Sequence, residues 1–139
     1  MDNYEEKIKE NIKRNKKFIK EFKKWLKGKN LSDKTIKKHV SNVEFYLDDF
    51  LNYYDITKME DGCSMIDDFL GDWFIRKCMW SSKTSIKENA ASIKKFYQCM
   101  NELGYVSEDD YKELCFLIKE GMEEWLEELD MYDNGDYYF

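Results

Sequence analysis

The chain of 139 residues contains no proline and only six glycines. Turn-rich β architectures draw on both, so their scarcity favours long helices joined by short connections. Histidine occurs once, at His39. A di-iron bundle built on Glu-x-x-His pairs needs two, and a zinc site would have to rest on cysteines. The four cysteines, Cys63, Cys78, Cys99 and Cys115, are widely spaced with no CxxC pair. That pattern reads as buried free thiols in a reducing compartment, with no metal site. Glycine-rich phosphate loops and nucleophile elbows are missing. Each of the adjacent acid pairs Asp48-Asp49, Asp67-Asp68 and Asp109-Asp110 would diverge by about 100° on a helix, a poor geometry for paired acid–base work. No enzymatic activity and no cofactor are expected. No apolar run approaches the length of a membrane span, and the start MDNYEEKIKEN does not resemble a signal peptide. The chain therefore reads as cytoplasmic, with no membrane contact.

What is present suffices for one core: 42% hydrophobic and 17% aromatic residues. The expected fold class is all-α, a single compact bundle of about five helices over residues 1–132, with a flexible tail at 133–139. A net charge of −6 argues against simple nucleic-acid binding, but the charge is unevenly spread. Residues 1–42 carry +8, residues 43–107 carry −4 and residues 108–139 carry −10. The screening length at physiological salt is about 8 Å, so a basic face can act independently of a distant acidic one.

The stretch LSDKTIKKHVSNVEFYLDDFL, residues 31–51, organises the rest. Ser32 is a cap and Asp33 complements the helix dipole. Ile36, Val40, Val43 and Leu47, then Phe50, Leu51 and Tyr54, make one apolar stripe, and Lys34, Lys37, Lys38 and Ser41 lie opposite. The helix is expected to end near Tyr54 or Asp55, and His39 falls on its flank as a partly exposed polar residue.

A first helix is expected from Glu5 to Lys27. Its lysines Lys9, Lys13, Lys16, Lys20, Lys23 and Lys27 form a ridge away from Ile19, Phe22 and Leu26. The ridge is either a solvated face or a track for a phosphate backbone. Gly28 is suited to a left-handed stop. Residues 56–63 read as a loop, and Ser64 as the cap of a third helix ending near Lys77. A fourth helix, capped by Ser81, Ser82 or Thr84, buries Ile86, Ala90, Ile93, Tyr97 and Met100, carries Lys83, Lys87 and Lys94 on one flank and stops at Gly104. Ser107 opens a fifth helix to Asp130 with Glu113, Glu120, Glu124 and Glu127 outside.

The run FIKEFKKWLKGKNLSDKTIKKHVSNVEFYLDDFL resembles the start of the core-binding domain of tyrosine recombinases, the phage-integrase family. Leu31, Ser32, Thr35 and Ile36 carry that likeness. The later run SSKTSIKENAASIKKFYQCMNELGYV resembles the same domain's second hallmark through Ile86, Ala90, Ile93, Phe96, Tyr97 and Gly104. The likeness covers residues 14–106, and an acidic helix at 107–132 is an addition to it. The resemblance implies a SAM-like helical bundle forming half of a clamp around duplex DNA. It implies DNA contact at Lys34, Thr35, Lys37, Lys38 and Ser41, and at Lys83, Thr84, Ser85 and Lys87. The family's catalytic domain has no room here, and Arg14 and Arg76 are the only arginines. The expected function is thus a non-catalytic duplex-DNA-binding module working through lysine–phosphate contacts. The alternative is a protein-interaction module in which residues 108–139 meet a partner or a second copy.

Overall fold

In the computed structural model, which describes residues 2–135, the regular elements are all helical and no strand occurs among the described residues. Five helices make one bundle, as the composition leads one to expect. No helix among the described residues is long and apolar enough to cross a membrane.

Helix α1 (Asp2–Gly28) lays Phe18, Ile19, Phe22 and Leu26 on the core. It runs through Gly28 rather than stopping there. The left-handed residue is Asn30, at φ 60°, a conformation that asparagine tolerates better than most side chains. Helix α2 (Asp33–Glu44) is capped by Ser32, whose Oγ accepts from Thr35 N at 3.2 Å. It continues as a π-helical turn, Phe45–Phe50, marked by the Leu51 N to Tyr46 O bond at 3.0 Å. Tyr46, Leu47, Phe50 and Leu51 all enter the core. The side chain of Asn52 donates to the Asp48 carbonyl at 2.9 Å and accepts from Asn11 of α1 at 2.8 Å. The helical stretch therefore ends before Tyr53 and Tyr54, which are exposed, and the expected inward role of Tyr54 is not met.

The expected loop at 56–63 is more ordered than its composition suggests. It holds a 3-10 turn, Met59–Asp61, and a second follows at Cys63–Met65. Two fully buried tyrosines fix it. Tyr46 OH donates to Gly62 O at 2.6 Å, and Tyr97 OH donates to Met59 O at 2.7 Å. A Cβ on Gly62 would run into the Tyr97 hydroxyl, so only glycine admits that approach.

Helix α3 spans 66–77 in three contiguous pieces: Ile66–Asp68, a π-helical Phe69–Trp73, and Phe74–Lys77. Ser64 sits inside the preceding 3-10 turn and does not cap α3. The two π-helical turns meet through their rings. Phe69 lies 4.9 Å from Tyr46 and 5.0 Å from Phe50, and Phe50 lies 5.4 Å from Trp73.

Helix α4 (Lys83–Glu102) starts at a reciprocal cap: Ser82 Oγ accepts from Ser85 N at 3.0 Å, and Ser85 Oγ accepts from Ser82 N at 2.7 Å. Its expected stripe, from Ile86 to Met100, is buried in full. Gly104, at φ 86°, turns the chain into helix α5 (Glu108–Asp133), which Ser107 caps by accepting from Asp110 N. The ion pair of Lys83 with Asp130 shows that α5 returns antiparallel along α4. Trp125 of α5 is 1% exposed and donates from Nε1 to Asp67 Oδ1 at 2.6 Å. Its ring lies against two glycines: an added Cβ would stand 2.8 Å from it at Gly71 and 2.5 Å at Gly121. Asp133 closes α5 and Asn134 caps it; the rest of the expected tail, 136–139, lies outside the described residues.

Candidate nucleic-acid interface

Helices α2 and α4 pack across a seam that is apolar beneath and polar above. Ile36, Val40 and Val43 face inward on α2, and Ile86, Ala90 and Ile93 on α4. Nearer the surface, Ser92 of α4 is 1% exposed and stands between two α2 side chains. His39 Nδ1 meets Ser92 Oγ at 2.8 Å, and Asn42 Nδ2 donates to the same oxygen at 3.0 Å. Lys38 Nζ pairs with Glu88 Oε1 at 2.6 Å. These three contacts lock the register of the two helices on which the expected DNA-contacting residues lie.

Around that seam the charge is mainly positive. Lys34 stands one turn before Lys38, Lys37 is its neighbour, and Lys87 adjoins Glu88; all three are exposed. None of the three forms an ion pair among the described residues. Burial holds the His39 imidazole below its ordinary pKa, and the ammonium groups of Lys95 and Lys38 push it down further. His39 is thus flanked by one lysine from each helix, Lys38 of α2 and Lys95 of α4.

The remaining expected contacts divide. Ser41 and Thr84 are exposed. Thr35 and Ser85 take part in caps: Thr35 Oγ1 accepts from Ser32 Oγ at 3.0 Å, and Ser85 belongs to the reciprocal pair that starts α4. Lys83 pairs with Asp130 of α5 at 3.2 Å. Hence the C-terminal end of the acidic helix touches the α4 end of the cluster, while Lys34 and Lys37 on α2 stay clear of it. Both ion pairs are exposed, with side chains between 40% and 57% accessible. Such pairs are worth roughly 0.2–1 kcal/mol and yield readily to a stronger anion.

Lys95, Glu88 and the Ser92 hub are the participants that the sequence did not single out. Ser92, which with Asn89 interrupts a largely apolar buried face, was the available sign of a polar seam. Among the described residues no group of three or more His, Cys, Asp or Glu is placed to hold a metal. Cys63, Cys78 and Cys99 are buried and Cys115 is half-buried, and burial pushes the first three thiols up to about 12, 11 and 12. They are protonated, unreactive packing groups at neutral pH. Comparison with protein-family models, with curated proteins and with solved structures gives no match to this chain.

Proposed function

We propose that this chain is a non-catalytic duplex-DNA-binding module that uses the lysine cluster at the α2–α4 seam. One observation carries the reading. Two helices held in fixed register set Lys38 and Lys95 beside a single histidine, with Lys34, Lys37 and Lys87 exposed on the same two helices and Glu88 as the counter-charge of Lys38. A polyanion relieves that concentration of like charge. Duplex DNA, rather than another polyanion, is favoured by the resemblance of residues 14–106 to a recombinase core-binding domain. Phosphate contacts dominate in this reading, because the face offers lysine and little of the Arg, Asn or Gln that reads base edges.

The test is fluorescence anisotropy with a random-sequence duplex. If about three free lysines neutralise phosphates, log affinity falls against log salt with a slope near −2.7, which is about 40-fold between 50 and 200 mM. A Lys34→Glu, Lys37→Glu, Lys87→Glu variant should lose binding at 50 mM salt and keep its helical circular dichroism. Undiminished binding by that variant would overturn the proposal.

A further inference from the structure

Lys13, Lys17 and Lys20 on α1 and Glu120, Glu124 and Glu127 on α5 take part in none of the ion pairs among the described residues. Between residues 13 and 27 the sequence has eight Lys or Arg and one Glu; between 120 and 133 it has seven Asp or Glu and no Lys or Arg. Both stretches are helical and turned largely to solvent. Two stretches of opposite charge lie on one chain, and α1 packs against α2 and α4 rather than along α5. Arg14 is met by Glu60 and Asp130 by Lys83, so cancellation within the chain is partial.

A second feature sets their register. Phe116 projects from the outer face of α5 and is 60% exposed. On α1 the basic ridge ends beside a shallow hollow of about 350 Å³ formed by Glu21, Lys24, Trp25 and Leu103. Leu103 is 47% exposed there. Counting along the helices, Phe116 precedes Glu120, Glu124 and Glu127 by 4, 8 and 11 positions, and Lys24 follows Lys20, Lys17 and Lys13 by 4, 7 and 11. Laid antiparallel, the two patterns coincide within one residue.

We propose that the chain self-associates, α5 of one copy lying antiparallel along α1 of the next. Phe116 enters the Trp25–Leu103 hollow, and Glu120, Glu124 and Glu127 meet Lys20, Lys17 and Lys13. This contact is separate from the α2–α4 seam and stands or falls independently of DNA binding.

Sedimentation and light scattering on the full chain test it. At 50 mM salt the mass should rise above the 16.9 kDa monomer with concentration, and it should return to the monomer at 500 mM. The Glu120→Lys, Glu124→Lys, Glu127→Lys variant should be monomeric alone. So should the Lys13→Glu, Lys17→Glu, Lys20→Glu variant. Mixed, the two should associate, because each presents the complement of the other; Lys and Glu have similar helix propensity, so both fold. Phe116→Ser should weaken association at least tenfold. A wild-type chain that is monomeric at every salt concentration overturns the proposal, as does a mixture that stays monomeric. If the α1 variant instead loses duplex binding while the wild type is monomeric, the ridge serves the polyanion and the self-contact is refuted.

Discussion

Helix α4 meets two of its neighbours, α5 and α2, in different ways. On the α5 side the packing is mainly apolar: Leu114, Trp125 and Leu129 are buried, Trp125 is wedged between Gly71 of α3 and Gly121 with its N–H on Asp67, and the exposed Lys83–Asp130 pair lies at the rim. Toward α2 the inner half is apolar, but the outer half is the Ser92 hub with His39 and Asn42. Apolar packing rewards burial and tolerates little change in volume. A polar seam adds little net stability but fixes register, because each donor must find its acceptor. The difference assigns stability to the α5 side and the positioning of the lysine cluster to the α2 side.

Removing the wedge should break the apolar side with the largest effect. Trp125→Ala deletes a fully buried indole and strands Asp67, and it should cost about 3–5 kcal/mol in denaturant unfolding. A loss below 1 kcal/mol would mean that α5 is not part of the cooperative unit. Gly121→Ala approaches the same ring from the other direction and, with Gly71 behind it, the ring cannot retreat. Overpacking of this kind should cost about 1–3 kcal/mol. On the polar side the effect is smaller. Ser92→Ala leaves His39 and Asn42 without their shared oxygen, at a cost of about 1 kcal/mol. Its more telling consequence should be looser helix register, read as faster amide exchange in α2 with α5 unaffected.

The long helices were largely legible in the sequence, since period-3.6 spacing marked α1, α2, α4 and α5 and Ser caps marked the last three, and their apolar stripes point inward as the spacing predicts. In α3 the spacing of Ile66, Phe69, Leu70, Trp73 and Phe74 likewise marks an inner face, and all five are buried although a π-helical turn runs through the middle of it. The end of α2 was misjudged: the apolar pattern runs on to Tyr54, but the helical stretch ends at Phe50 and the Asn52 side chain takes up the Asp48 carbonyl. Met59 was unreadable as core because its loop is fixed by hydroxyls of Tyr46 and Tyr97 from elsewhere in the chain. The lysines at the starts of α2 and α4 were legible one helix at a time. Their meeting at Ser92, and the capture of Lys83 by Asp130, depend on how helices cross, which local periodicity does not encode.

His39 offers the finest probe of the polar side, since as the only histidine it gives a single imidazole signal in a proton spectrum. Burial first, then Lys95 and Lys38, hold its folded pKa below the unfolded value of about 6.5. Between those two values the unfolded chain binds the proton more tightly. The contribution of His39 to stability is therefore complete above about pH 6.5 and is lost as the pH falls from there through the folded value. A His39→Gln variant should flatten that part of the pH–stability curve. Lys95→Met removes a repelling charge and should raise the imidazole pKa. Added duplex should do the same if phosphates reach Lys38 and Lys95, because their positive field is then partly cancelled; the α5 side, packed through apolar groups, has no such coupling. An imidazole whose titration is indifferent to saturating DNA would place any bound nucleic acid away from this seam and leave the α2–α4 contact as packing alone.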